Sequence, residues 1–406
     1  MDRTLERMPR ERPSTSRASG PASRITTARG LLQLGVAGTV GIASLAEAIH
    51  EAVAATMPLP LLPGSPITTG VARLAYRGVR GAAGAVGKGG DALLGLAERA
   101  VTGEQRRARP RNGAVSVPLR LQSVLNGVVG DRLEAVRNPL ALPMTIEPHR
   151  HSRRSAHRSA TGPRVLFVHG LCMNDIQWQG ATGRGVDFGD RLAREAGCRP
   201  LYLRYNTGLG IAENGRRLAA LLEARHRGRH AWNGPLHVIA HSLGGLVLQS
   251  ALAEGVALGH RWPERVGHVV SLGTPYEGAL LERFGKTLDV ALRLSRFSSP
   301  WAMVSAIRSV AIRQLDHALI APLARRPEGL VFHAVAGTLG GSRVQAVAPL
   351  VGDGLVPVDS ALARGAASKR LAIDHRTVLE GVGHLALVTH PGVWDYLAGI
   401  SFSGRK

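Results

Sequence analysis

Aromatic side chains make up only 4% of this 406-residue chain, cysteine occurs twice, and lysine is confined to Lys88, Lys286, Lys369 and Lys406. Two cysteines cannot build a disulfide framework or a four-cysteine zinc site. Cys172 and Cys198 are expected as free, buried thiols, with a single bridge between them as the alternative. No apolar run is long enough to span a bilayer: the stretch 31–46 is interrupted by Gln33 and closed by Glu47, short of the ~18 unbroken apolar residues a spanning helix needs. The first thirty residues are polar and arginine-rich, without a secretory signal, so a cytoplasmic location is expected. Acidic residues are also scarce, 29 against 51 basic ones, which leaves a formal net charge of +22. Nearly all of that charge is arginine in an Ala- and Gly-rich chain. A GC-rich coding genome produces this bias without any anionic partner, and nucleic acid is not the expected partner. What the chain does hold, 44% hydrophobic residues over this length, is enough for two or so domains with real cores.

Residues 1–30 are rich in Arg, Ser, Thr and Pro and are expected to be disordered. Residues 31–112 form a helical, Gly/Ala-rich extension in two segments around a Pro-rich break at 58–66. It reads either as a hairpin packed on the main domain or as an amphipathic surface for a membrane or lipid particle. Residues 113–163 connect onward through a His/Arg/Ser linker. From 164 to 402 the texture changes to short β-rich runs (165–168, 201–205, 236–240, 266–272, 330–336, 377–380) alternating with amphipathic helices. That alternation predicts an α/β domain, a mostly parallel sheet flanked by helices. A helical insertion at about 277–326 is expected to form a cap.

The sharpest local pattern is Val238-Ile239-Ala240-His241-Ser242-Leu243-Gly244-Gly245, an apolar strand running through small-x-Ser-x-Gly into a helix. A tight strand-to-helix turn of this kind lifts a serine hydroxyl above the sheet edge. Serine becomes a nucleophile only when a base takes its proton, and the base needs an orienting carboxylate. In chain order, Asp353 follows the fifth predicted strand within Gly352-Asp353-Gly354, and His384 follows the last within Gly383-His384-Leu385. Asp353 could also be a plain turn aspartate, with Asp359 as reserve acid, and His390 competes with His384. Ser242, Asp353 and His384 are the expected catalytic residues. The amide of Leu243, at a helix N-terminus, and that of Leu171 or Cys172, after the first strand, are the expected oxyanion donors, with Leu171 preferred. His169, Cys172, Tyr276, Trp301 and Met303 are candidate pocket residues. The histidines show no HExxH pair, and no dinucleotide fingerprint follows a strand; neither metal nor cofactor is expected.

Together, Val168-His169-Gly170-Leu171, the Ser242 turn, Leu272-Gly273-Thr274-Pro275, Asp353-Gly354-Leu355-Val356-Pro357 and Gly383-His384-Leu385 make residues 164–400 resemble the α/β-hydrolase superfamily. Within it the segment is similar to bacterial lipases and esterases, including the GPI-inositol-deacylase-like lipase group. Tyr276 departs from the histidine that many relatives carry there. The resemblance implies an α/β-hydrolase fold and a cofactor-free serine ester hydrolase working through an acyl-enzyme on an ester or lipid substrate. The same triad would also serve an acyltransferase or thioesterase. A basic scaffold that docks lipid or polymer through a degenerate hydrolase core is the reading from another class.

Overall fold

The computed structural model describes residues 28–33, 35–36, 77, 81, 84–85, 88, 91, 119–148, 162–179, 185–228, 232, 234–278, 309–315, 322–340 and 352–402. Residues 28–30, expected to be disordered with the rest of 1–30, are helical; the expectations for 1–27, the Pro-rich break, the His/Arg linker and most of the cap with Trp301 and Met303 fall outside these residues.

The apolar runs of the sequence become strands because each is buried almost without interruption. The strands are β1 (Thr145–Pro148), β2 (Arg164–Val168), β3 (Arg199–Arg204), β4 (Leu236–His241), β5 (Val266–Leu272), β6 (Val331–Thr338) and β7 (His375–Glu380). All six residues of β4 and seven of the eight in β6 are buried, as expected of central strands covered on both faces. They form one seven-stranded sheet in the order β1-β3-β2-β4-β5-β6-β7. Every pairing is parallel except β1 on β3. This is the α/β architecture that the sequence resemblance implies.

Alternation along the strands divides the core between the two faces. Leu166, Val168, Val238 and Ala240 face a cluster completed by α3 (Ile211–Arg227) and α4 (Leu243–Ala257). Val165, Phe167, Ile239 and Val270 face the other, covered by α2 (Phe188–Glu195) and α7 (Pro391–Ala398). Asp187 caps α2 by accepting from the Asp190 amide at 2.8 Å. On this second face the strands also carry a row of histidines, one from each of β4 to β7: His237, His268, His333 and His375. Neighbouring rings lie 5.4, 5.3 and 4.7 Å apart between centroids. His268 Nδ1 meets His333 Nε2 at 3.1 Å, and His333 Nδ1 meets the Tyr396 hydroxyl of α7 at 2.8 Å.

Two compact units divide the chain. One comprises 1–118 with 138–140, the other 119–137 with 141–406. In the first, the side chains of Arg29 and Gln33, one helical turn apart, both donate to Asp91, Arg29 through Nε at 2.6 Å and Nη2 at 2.8 Å. These bonds hold the Asp91 carboxyl below its ordinary range. In the second unit, α1 (Leu119–Ala135) and β1 join the sheet domain, although the sequence places both in the connecting segment before residue 164. The physical reason is pairing. β1 adds antiparallel to β3, and α1 is held to the loops beyond β2 and β3: Asn206 Nδ2 donates to the Gly130 carbonyl at 2.9 Å, and the Cys172 thiol faces the Val124 carbonyl. The short helices α5 (Val310–Gln314) and α6 (Val358–Ala361) complete the unit. Ser309 fastens α5 to α1, its hydroxyl donating to the Gly127 carbonyl at 2.7 Å. No helix among the described residues is long and apolar enough to cross a membrane.

Candidate active site

Ser242 stands between β4 and α4 with φ 54° and ψ −126°, a left-handed conformation that a non-glycine residue adopts only at a cost of about 1–3 kcal/mol. Its amide donates to the Leu272 carbonyl at 2.9 Å, which ties the turn to the end of β5. A serine at a helix N-cap ordinarily accepts a hydrogen bond from the first turn; the Ser242 side chain makes no such bond. The turn demands small neighbours. A Cβ on Gly244 would lie 2.6 Å from the Val168 carbonyl oxygen and 2.7 Å from that of His169. Ala240, opposite Val168 and Ser271 in the sheet, buries its methyl completely.

Asp353 lies 3% exposed in the loop after β6. Oδ1 accepts from the amides of Leu355 and Val356 at 3.0 and 2.9 Å, and Oδ2 faces His384 Nδ1 at 2.7 Å. The residue is thus both a turn aspartate and the partner of a histidine. A carboxylate in this position accepts, so His384 carries its proton on Nδ1 and leaves Nε2 as a base. The His384 amide donates back to the Asp353 carbonyl at 3.0 Å. Gly273, directly after Leu272, has φ 56°, and a Cβ there would come within 2.9 Å of Asp353 Oδ2 and 3.2 Å of His384 Nδ1. The residue after the carbonyl that holds Ser242 therefore abuts the His–Asp pair. The rivals lie elsewhere: Asp359 is exposed and paired with Arg364 at 3.2 Å, and His390 caps α7 by accepting from the Gly392 amide.

Leu171 and Leu243 are buried beside this turn, and neither amide has an acceptor among the described residues. The Cys172 amide, by contrast, donates to Thr207 Oγ1 at 3.1 Å. Both cysteines are free, and burial pushes the thiols of Cys172 and Cys198 up to about 12 and 11, which disfavours a thiolate at either. His169 is fully buried, stacks on Tyr205 at 4.6 Å, and donates from Nδ1 to the Gly170 carbonyl. Burial drives its pKa down to about 4, so its ring is neutral. Tyr276 lies in the larger core cluster, its hydroxyl facing Ser271 and Thr274. Sequence spacing offered no sign of two further neighbours: Thr207, which occupies the Cys172 amide, and the part-buried, two-pronged Asp175–Arg204 bridge at 2.8 and 3.0 Å. Among the described residues no group of three or more His, Cys, Asp or Glu side chains is arranged to hold a metal ion.

No protein-family model matches the chain, and neither does any curated protein. Solved structures similar to it include the mature lipase BlEst2 of Bacillus licheniformis, 20% identical, with a TM-score of 0.42 over 64% of this chain and 98% of that one. Another is the peroxisomal alpha-beta-hydrolase Lpx1 of Saccharomyces cerevisiae, 16% identical, TM-score 0.36, covering 63% and 80%. A third is the mouse alpha/beta hydrolase domain-containing protein 10, 14% identical, TM-score 0.35, covering 63% and 90%.

Proposed function

We propose that this protein is a serine hydrolase of the lipase/esterase type that cleaves carboxylic esters through an acyl-enzyme. One observation carries it: a serine held at φ 54°, not capping its helix, is tied through the Leu272 carbonyl to Gly273, the residue that abuts a buried histidine whose Nδ1 is 2.7 Å from a carboxylate. Ser242 Oγ attacks the ester carbon and passes its proton to His384 Nε2, while the carbonyl oxygen takes up the negative charge. The amides of Leu243 and Leu171 stabilise that oxyanion; preorganised donors of this kind are worth about 3–4 kcal/mol each. Collapse expels the alcohol, which takes the proton back from His384. Water then attacks the acyl carbon, His384 removes its proton, and the acid leaves as the Ser242 hydroxyl is restored. Asp353 Oδ2 accepts from Nδ1 and fixes the ring.

A fluorophosphonate that forms one adduct, mapped to Ser242, tests the assignment. Ser242→Ala is expected to abolish the adduct, lower ester turnover by at least about 10⁴-fold and leave the melting temperature near that of the wild type. Retained turnover would remove Ser242 from its role.

A further inference from the structure

The residue before the serine is tied to all three parts of this site. His241 ends β4, is 1% exposed, and is covalently next to Ser242. Its Nε2 lies 3.0 Å from the main-chain carbonyl of His384, and the two imidazoles pack at 4.7 Å between centroids, tilted by 47°. A carbonyl only accepts, so the proton of His241 sits on Nε2. The third contact is to the loop that carries the Leu171 amide. A Cβ on Gly170 would lie 3.0 Å from both His241 Nδ1 and the Ser242 Cβ, so this loop packs tightly against the ring.

We propose that His241 is a positioning residue that sets the spacing between the serine, the base and the oxyanion loop; the proposal rests on the hydrolase reading above. The His384 amide and Nδ1 both bond to Asp353, to its carbonyl and to Oδ2. They fix His384 relative to Asp353. The His241 bond fixes His384 relative to the strand that bears Ser242. Burial, and next to it the charge His384 acquires, keeps the His241 pKa well below its usual value. A neutral ring suits the role, since a second cation would oppose the imidazolium that forms on His384 during attack.

A group that fixes the reacting geometry without touching substrate should act on kcat and leave KM alone. His241→Phe keeps a packed ring and removes the N–H donor. His241→Asn keeps a polar side chain too short to reach the carbonyl, and serves where the Phe variant does not fold. His241→Gln carries an N–H at about the reach of the imidazole Nε2. With a short-chain p-nitrophenyl ester, the Phe or Asn variant is expected to lose about 10–100-fold in kcat with KM within about twofold. Fluorophosphonate labelling of Ser242 should slow in parallel, and the Gln variant should recover most of the loss. Wild-type kcat in the Phe and Asn variants, a change confined to KM, or a Gln variant as slow as Phe would each overturn the positioning role. A folded wild type without Ser242-dependent labelling would instead overturn the hydrolase reading, and the proposal with it.

Discussion

Asp353 divides its two oxygens between two tasks. Oδ1 closes its own loop by accepting the Leu355 and Val356 amides, and Oδ2 orients His384. The two tasks can be separated by substitution. Asp353→Asn retains a carbonyl oxygen for the loop amides and loses the charge that holds the imidazole tautomer. Turnover should fall by about 10³–10⁴-fold with stability nearly unchanged. Asp353→Ala also leaves two buried amides without an acceptor, at about 1–3 kcal/mol for such a group, so its urea midpoint should drop as well. Steady-state kinetics and urea unfolding of both variants check this; equal midpoints would mean that the loop does not depend on Oδ1. The same duality explains what the sequence left open at this position. Its glycine neighbours fitted either a turn residue or a partner of the histidine, and the folded loop gives it both contacts.

At the scale of elements, the site is a property of strand ends. The ends of β4 and β5, the segment before α6 and the turn beyond β7 carry Ser242, Gly273, Asp353 and His384 to one edge of the sheet. Gly273 shows how little slack that edge has. Gly273→Ala forces a side chain into φ 56° and against Asp353 Oδ2 and Leu387, each 2.9 Å from the new methyl. A loss of about 1–3 kcal/mol and of most turnover is expected, measured by thermal unfolding and ester hydrolysis; wild-type values for both would show that the turn relaxes. The central strands were legible in the sequence because burial on both faces makes their apolar runs continuous. β1 was not. It is four residues long, ends in Pro148, buries only Ile146, and exists through its pairing with β3. A partner about fifty residues away leaves no local trace. α1 was missed for a related reason: it is kinked at Val129, and its buried face includes Ser123, Asn126, Gly127 and Gly130. Those residues fit the loops beneath the helix and produce no apolar stripe.

At the scale of the whole molecule, three histidines of the row, with the buried His169 and His241, contribute to the response to acid. Burial, reinforced by the adjoining His268, holds the pKa values of His237 and His333 down to about 4, and His268 itself is lowered by burial. Unfolded, the same rings titrate near 6.5. Between those values the unfolded chain binds more protons than the folded one, so stability is full above about pH 6.5 and declines toward pH 4. The slope is up to about 1.4 kcal/mol per pH unit for each such group. His333→Gln should flatten the curve of urea midpoint against pH over this interval; an unchanged slope would assign the acid response to other groups. Nearby, Asp374 is already engaged by Arg326 and by the Phe332 amide at 2.7 Å, and its carboxyl stays below the ordinary range.

The parallel sheet has one more consequence, which concerns time. Asp353 and His384 are 31 positions apart and come together across the loops of two neighbouring strands. His241 meets His384 over 143 positions, with β5 and β6 lying between their strands. Contacts of that separation are slow to form because the closure entropy of the intervening chain must be met first. The Asp353–His384 contact is therefore expected to close before the His241–His384 contact, and on the proposed hydrolase reading Ser242 would become reactive only once the sheet has closed from β4 to β7.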